Sequence, residues 1–311
     1  MSTTRTMLVV GAGGFVGSHL ARAAADADLR LVAAARQGGA DVLACDLLDP
    51  ESVAACVATA RPDLVVNAAG AASVGRSWER PGETFAVNAN GALNLLEAVA
   101  RRAPAAHVLC LSSADVYGSR GEGTLLSEEL EPRPVTPYGA SKAALEVLCG
   151  QYARGRGLRV AVARAFNLIG PGQSPAFAVA GFARRVAEAE RAGEAGVELA
   201  LGNPAAVRDF TDVRDGGRAL LELSRREVEG TFNLCSGTGT TIAALVEQLS
   251  RAARLPVTVR QDPSLARPAD PPALVGDPRS LRAATGFAPA TPLSQTLADL
   301  LDHWRTALAS A

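Results

Sequence analysis

The sequence predicts an α/β protein, in which a doubly wound, mostly parallel sheet is followed by a smaller α/β lobe. Three observations predict it. Short apolar runs alternate with amphipathic ones through the first half, a glycine-rich turn joins the first run to the next segment, and after Arg164 the texture changes to short, spaced strands between loops rich in proline and glycine. Thr6 to Val10, Arg30 to Ala35, Val42 to Cys45, Leu64 to Ala68, His107 to Ser112 and Arg159 to Ala163 read as strands. Phe15 to Ala27, Thr84 to Arg102 and Tyr138 to Arg154 read as helices, because apolar residues recur in them at spacings of three and four. Together they describe a Rossmann domain over 1–165, with 166–311 mainly a substrate-binding lobe. Part of that lobe, 207–237, is expected to return to the first domain, with Thr231 to Leu234 rejoining the main sheet.

Composition narrows the function. At 311 residues, 48% hydrophobic and 20% charged, the chain can bury a large core and is too apolar to be disordered. Its 31 basic residues are dispersed among 32 acidic ones, so no patch exists from which to bind nucleic acid or an anionic membrane. Apolar runs such as Leu31 to Ala35 are far short of a membrane span, and no basic, apolar leader precedes the first strand, so a cytoplasmic protein is expected. Five cysteines (Cys45, Cys56, Cys110, Cys149, Cys235) are scattered without CxxC or Cys/His spacing, which predicts reduced core thiols and no metal site. All but one of the basic residues are arginine. The exception, Lys142, therefore invites a lysine-specific role.

The first strand runs into Gly11-Ala12-Gly13-Gly14-Phe15-Val16-Gly17, a GxxGxxG spacing that lets the backbone turn tightly and bring a dinucleotide pyrophosphate to the helix N-terminus. Gly11, Gly14, Phe15, Val16 and Gly17 are accordingly candidate cofactor contacts. A purely structural glycine loop is the alternative, and the turn's position between the first strand and its helix argues against it. Where an acid would hold the ribose of NAD, at the end of the second strand, this chain has Ala34-Ala35-Arg36. Arg36 favours the 2′-phosphate of NADP(H), with NAD(H) and a merely solvated arginine left open. Asp46 with Leu47 is a candidate for the adenine, or else Asp46 caps a helix. Ala68, Ala69 and Gly70 end an apolar strand where a doubly wound sheet opens its ligand crevice, and their small size lets a cofactor lie on bare backbone.

Catalysis is expected from Ser113, after the fifth strand, and from Tyr138-Gly139-Ala140-Ser141-Lys142. A spacing of four places the phenol and the ammonium on one helix face, where the cation is expected to lower the tyrosine pKa. An ordinary surface lysine is the competing reading, and the chain's single lysine falling at this spacing speaks against it.

These residues resemble an extended short-chain dehydrogenase/reductase of the nucleotide-sugar branch, over nearly the whole chain. The segments Arg164-Ala165-Phe166-Asn167-Leu168-Ile169-Gly170-Pro171-Gly172-Gln173, Arg208-Asp209-Phe210-Thr211-Asp212-Val213-Arg214-Asp215 and Phe232-Asn233-Leu234-Cys235-Ser236-Gly237 are similar in particular to the GDP-4-keto-6-deoxy-D-mannose reductases. The resemblance implies that Ser113 hydrogen-bonds the sugar C4 oxygen, that Tyr138 protonates it, and that Lys142 tunes the tyrosine and holds the nicotinamide ribose. It implies sugar-nucleotide contacts from Asn167 and Arg208, the latter gripping a diphosphate unless it pairs with Asp209 or Asp212. Ser73, Arg76 and Ser77 fall where the sugar pocket begins in such enzymes, and Arg267 and Arg282 where the nucleotide is gripped. A homodimer through the helices of Thr84 to Arg102 and Tyr138 to Arg154 is also implied.

The expected reaction is NAD(P)H-dependent reduction of a GDP-4-keto-6-deoxyhexose at C4, giving GDP-D-rhamnose. A 4,6-dehydratase would carry Asp and Glu directly after the catalytic hydroxyl residue, where this chain has Ala114 and Asp115. An epimerase with resident NAD, and a non-catalytic NADP(H) sensor, are the rival readings. Retention of Ser113, Tyr138 and Lys142 together speaks against the sensor.

Overall fold

A computed structural model of the protein describes residues 4–25, 27–120, 123–265 and 270–309. In chain order its strands are β1 (Arg5–Val10), β2 (Leu29–Ala35), β3 (Val42–Ala44), β4 (Leu64–Asn67), β5 (His107–Ser113), β6 (Leu125–Leu126), β7 (Arg159–Ala165), β8 (Asn167–Ile169), β9 (Val197–Leu201), β10 (Val207–Asp212), β11 (Gly230–Leu234), β12 (Gly239–Thr241), β13 (Val257–Gln261) and β14 (Ala273–Gly276). The α-helices are α1 (Phe15–Ala25), α2 (Pro50–Ala60), α3 (Val74–Glu79), α4 (Pro81–Phe85), α5 (Gly91–Arg102), α6 (Pro137–Arg156), α7 (Ala178–Ala192), α8 (Val213–Arg225), α9 (Ile242–Ala252), α10 (Arg279–Thr285) and α11 (Leu293–Ala309).

Among the described residues, seven parallel strands form the central sheet in the order β11-β7-β5-β4-β1-β2-β3. All six strands expected from sequence are in it, each within two residues of its expected ends, and β11 is the seventh. Alternate residues of these strands feed opposite faces: Leu8 and Val10 enter a core with α2, α5 and α6, whereas Met7 and Val9 enter one with α1 and α8. Burial on both faces is why the strands read as continuous apolar runs rather than alternating ones. Winding reverses between β1 and β4, so the carboxyl ends of these two strands bound the crevice where ligands of such sheets bind.

A second sheet, β12-β10-β14-β6 with β8 alongside β10, stands beyond these carboxyl ends of the chain's first half, and β9 pairs with β13. Within 207–237 the path divides: β10 lies in this second sheet, and then α8 packs on α1 and β11 joins β7. A third core gathers α7, α9 and α11 around Phe210 and Leu199.

The helix expected over Thr84 to Arg102 differs in detail. It begins at Pro81, and between α4 and α5 the residues Ala86–Asn90 form one π-helical turn. The extra residue rotates Asn88 inward, where it is 2% exposed. Helix α6 starts cleanly because the Thr136 side chain accepts a hydrogen bond from Gly139 N and Pro137 occupies the first turn. Its start places Tyr138 at the carboxyl edge of β5.

Candidate active site

The glycine turn is built as its spacing predicts. Gly11 has a φ of 84°, and a Cβ there would lie 2.7 Å from Ala69 N, so the end of β4 rests directly on the turn. A Cβ on Gly17 would run into the Gly11 carbonyl oxygen. Only glycine lets α1 start this close to β1. At Gly13 a Cβ would meet nothing within 4 Å, so the outer side of the turn is open. A pyrophosphate fits such a cradle, and the residues present suit a dinucleotide. Phe15 and Val16 are half-buried at the first turn of α1, and Arg36 is exposed at the end of β2. Asp46 does not cap α2, a job done by Asp49; its Oδ1 instead accepts from Leu48 N in the preceding turn. The Leu47 side chain is 6% exposed and packs toward Gly91, so any cofactor contact from this residue is through its backbone.

Ser113, Tyr138 and Lys142 converge at the carboxyl edge of β5. Lys142 is 4% exposed and its Nζ donates to Leu111 O at 2.8 Å. Burial pushes its pKa down to about 8, with the Glu146 carboxylate pulling the other way. Gly70 leaves room for this amine, since a Cβ there would be 3.3 Å from Nζ and 2.9 Å from Asn88 Oδ1. The phenol of Tyr138 is held well above the usual tyrosine value by burial first and by the Asp115 carboxylate second, with a hydrogen bond to Ser113 pulling the other way. That corrects the sequence expectation of a phenol lowered by Lys142. The physical reason is desolvation of the phenolate, to which the Asp115 carboxylate adds its repulsion.

Two positioning contacts escaped the sequence reading. Asn88 ties the loop after β4 to α6, its Oδ1 accepting from Ala71 N at 2.8 Å and its Nδ2 donating to Ala71 O and to Ser141 Oγ. A polar residue on the inward face of an apolar helix was the available signal. Behind the triad, Glu146 receives Ser112 Oγ at 2.6 Å and a bidentate pair from Arg164, with Nη2 at 2.7 Å. Thus Leu111, Ser112 and Ser113 each hold one of Lys142, Glu146 and Tyr138, three successive turns of α6.

The predicted sugar contacts fare unevenly. Arg208 and Asn167 line one cleft together with Asp115, Thr136 and Trp78. Arg208 pairs with neither Asp209 nor Asp212 but with Asp270, at 2.7 Å. Asp209 is saturated by Ser236, Gly237 and Gly276 donors, and Asp212 by Arg214 and Thr296. Ser73 caps α3 through Arg76 N, Arg76 is exposed near Glu83, and Ser77 is fully buried, donating to Val74 O and accepting from Tyr138 N. Ser77 is therefore a support for the start of α6 and not a sugar contact. Arg282 is exposed on α10 and does not line the cleft, and Arg267 lies outside the described residues. A larger depression of about 550 Å³ on the second lobe is walled by Glu190 and Arg305, which neutralise one another at 2.7 Å, and holds none of these residues. All five cysteines are buried free thiols, and among the described residues no helix is long and apolar enough to cross a membrane.

Comparison with known proteins agrees with this geometry. Residues 7–235 match the model of the NAD dependent epimerase/dehydratase family. The chain is 36% identical to the GDP-6-deoxy-D-mannose reductase of Pseudomonas aeruginosa, over 97% of this chain and 98% of the relative. The structure of RMD from Pseudomonas aeruginosa complexed with NADPH superposes with a TM-score of 0.86 at 35% identity, covering 98% of this chain and all of that one. A Thermus thermophilus UDP-glucose 4-epimerase in complex with NAD gives the same TM-score at 31% identity, covering 97% of this chain and 99% of that one.

Proposed function

The chain belongs to the NAD dependent epimerase/dehydratase family, and on that premise we propose that it reduces the C4 ketone of a GDP-4-keto-6-deoxyhexose with NADPH, forming GDP-D-rhamnose. One arrangement carries the reading: Tyr138, Ser113 and Lys142 converge beside a dinucleotide cradle, and Asp115, which accepts from Ser113, lines the same cleft as Asn167 and Arg208. In ketone reduction the phenol must arrive as an acid, and the raised pKa keeps it one. The reduced nicotinamide, when bound, supplies the hydride.

Each residue has a task in this scheme. The turn Gly11 to Gly17 receives the pyrophosphate, Ala68 to Gly70 the flat underside of the cofactor, and Asp46 the adenine edge. Lys142 holds the ribose and keeps a positive charge near the carbonyl. Ser113 and Tyr138 hydrogen-bond the C4 oxygen, and Tyr138 gives up its proton as the alkoxide forms. Asn167 and Arg208 hold the sugar nucleotide, the diphosphate taking over the guanidinium from Asp270. The cofactor then belongs to 1–165, with part of 207–237, and the sugar nucleotide mainly to 166–311. Exposed Phe85, Leu93 and Val147, on the helices α4, α5 and α6, support pairing of two copies through this face. Buried free thiols suit a reducing, cytoplasmic setting.

The test is the nicotinamide absorbance of NADPH mixed with the purified protein and freshly generated GDP-4-keto-6-deoxymannose. One NADPH lost per ketone is expected. No loss, with NAD retained through purification and 4-epimerisation of an intact nucleotide sugar instead, would replace the reductase by an epimerase. Arg36 decides the coenzyme in this reading: Arg36→Ala is expected to lower kcat/KM for NADPH about tenfold, the worth of one charge-assisted hydrogen bond at an exposed site. The same variant should leave NADH unchanged, and an equal loss with both coenzymes would remove Arg36 from the 2′-phosphate site.

A further inference from the structure

Trp78 is the largest of the exposed apolar side chains among the described residues, 56% exposed, and it lines the cleft that holds Asp115, Asn167 and Arg208. A lone apolar side chain on an open surface is ordinary, whereas an aromatic one in the wall of a cleft is how small-ligand sites are built. The protein's other tryptophan is covered by its own chain: the Arg184 guanidinium lies 5.6 Å from the Trp304 ring centroid, and the His303 ring packs against it. Among the described residues Trp78 has no such ring or guanidinium partner. Its place is nonetheless fixed. Helix α3 is capped by Ser73, and Ser77, one residue before the indole, is fully buried and accepts from Tyr138 N at 3.2 Å. Val74 stands one turn before Trp78 on the same face of α3 and lines the same cleft, so this helix offers the cleft a continuous apolar strip.

We propose that Trp78, with Val74, selects a 6-deoxy sugar by packing against C5 and its methyl group. This deepens the reading of the cleft as a GDP-6-deoxyhexose site and rests on it. With C4 at Ser113 and Tyr138 and the diphosphate at Arg208, the hexose spans the part of the cleft between them, and Ser77 ties the indole to the Tyr138 end. Such a sugar has two unlike sides. The hydroxyls at C2 and C3 need hydrogen-bond partners, and Asp115, Thr136 and Asn167 bring polar atoms to the cleft, whereas C5 and its methyl carry neither donor nor acceptor. An indole and a valine suit the methyl. A hydroxymethyl group in its place would lose water without gaining a hydrogen bond from this wall.

D-rhamnose is D-mannose without the oxygen on C6, so GDP-D-rhamnose and GDP-D-mannose isolate this contact. The experiment is calorimetric titration of the protein, saturated with NADPH, by each of the two and by GDP; neither sugar has a ketone for NADPH to reduce. The unaltered protein is expected to bind GDP-D-rhamnose about tenfold more tightly than GDP-D-mannose, the low end of what an apolar pocket can discriminate. Trp78→Ala should bring the two within about twofold of each other while GDP binds as before, which also shows that the variant is folded. Trp78→Phe should keep most of the preference. A preference that survives in Trp78→Ala would mean that another group reads C6, and an unaltered protein without a preference would mean that C6 is not read at all. An equal loss for all three ligands, GDP included, would place the indole on the nucleotide. Each of these overturns the assignment. No turnover is involved, so the reduction assay can fail while the methyl preference stands; if none of the three compounds binds, the GDP-sugar reading falls and the role of Trp78 falls with it.

Discussion

Tyr138→Phe is expected to lower turnover of the ketone by about a hundred- to ten-thousand-fold while NADPH binding stays within about twofold. The substitution removes one oxygen and keeps the ring, which is 8% exposed. The N-terminus of α6 does not depend on that oxygen, because it is held by Thr136 and by the backbone bond from Tyr138 N to Ser77 Oγ. What disappears is the acid: without it the alkoxide must be stabilised by Ser113 and Lys142 alone and protonated by water. A loss of about a hundredfold to ten-thousandfold corresponds to about 3 to 5 kcal/mol of transition-state stabilisation. Stopped-flow absorbance with saturating NADPH, together with the fluorescence of bound NADPH, makes the comparison. A variant that reduces the ketone at the unaltered rate would show that another group protonates C4.

Glu146→Ala is expected to cost about 3 to 5 kcal/mol of folding stability, because it strands a buried guanidinium. Arg164 and Glu146 are 5% and 9% exposed and form a bidentate pair. Arg164 also lies over the Tyr117 ring at 4.7 Å, and Tyr117 in turn donates to Asn233 Oδ1 on β11. The pair therefore joins α6, β5, β7 and β11. Thermal melting of the single variant beside the double replacement of Glu146 and Arg164 by leucine makes the test sharp. Removing both charges takes away the unpaired ion, so the double variant should recover a large part of the loss. A single variant that melts within a degree of the unaltered protein would mean that water reaches Arg164 and that the pair is dispensable.

The two predictions differ in how far they were legible from sequence. Tyr138 and Lys142 stand four apart on a helix read from periodicity, and the lysine is unique in the chain, so their partnership is local and needs no tertiary information. Glu146 is one further turn along the same face, but its partners Ser112 and Arg164 come from two different strands, and nothing in a helical repeat announces them. The same limit explains Ser77 and Asp270. One looked like a pocket residue and supports α6, and the other, sixty-two positions from Arg208, provides its ion pair.

The sequence by itself determined the alternation of strand and helix, the place of the crevice and the identity of the glycine turn, because each depends on backbone sterics and short-range periodicity over fewer than twenty residues. It also determined which hydroxyl, phenol and amine meet there, since the ends of consecutive parallel strands must share one edge of the sheet. Only the tertiary structure decided the electrical state of these groups. Whether a buried phenol sits high or low depends on desolvation and on the nearest charge. Here that charge is Asp115, facing Tyr138 from the turn after β5 with Ser113 between them. The path of 207–237 between the two sheets and the π-turn that swings Asn88 inward were settled in the same way, by packing among elements far apart in the chain.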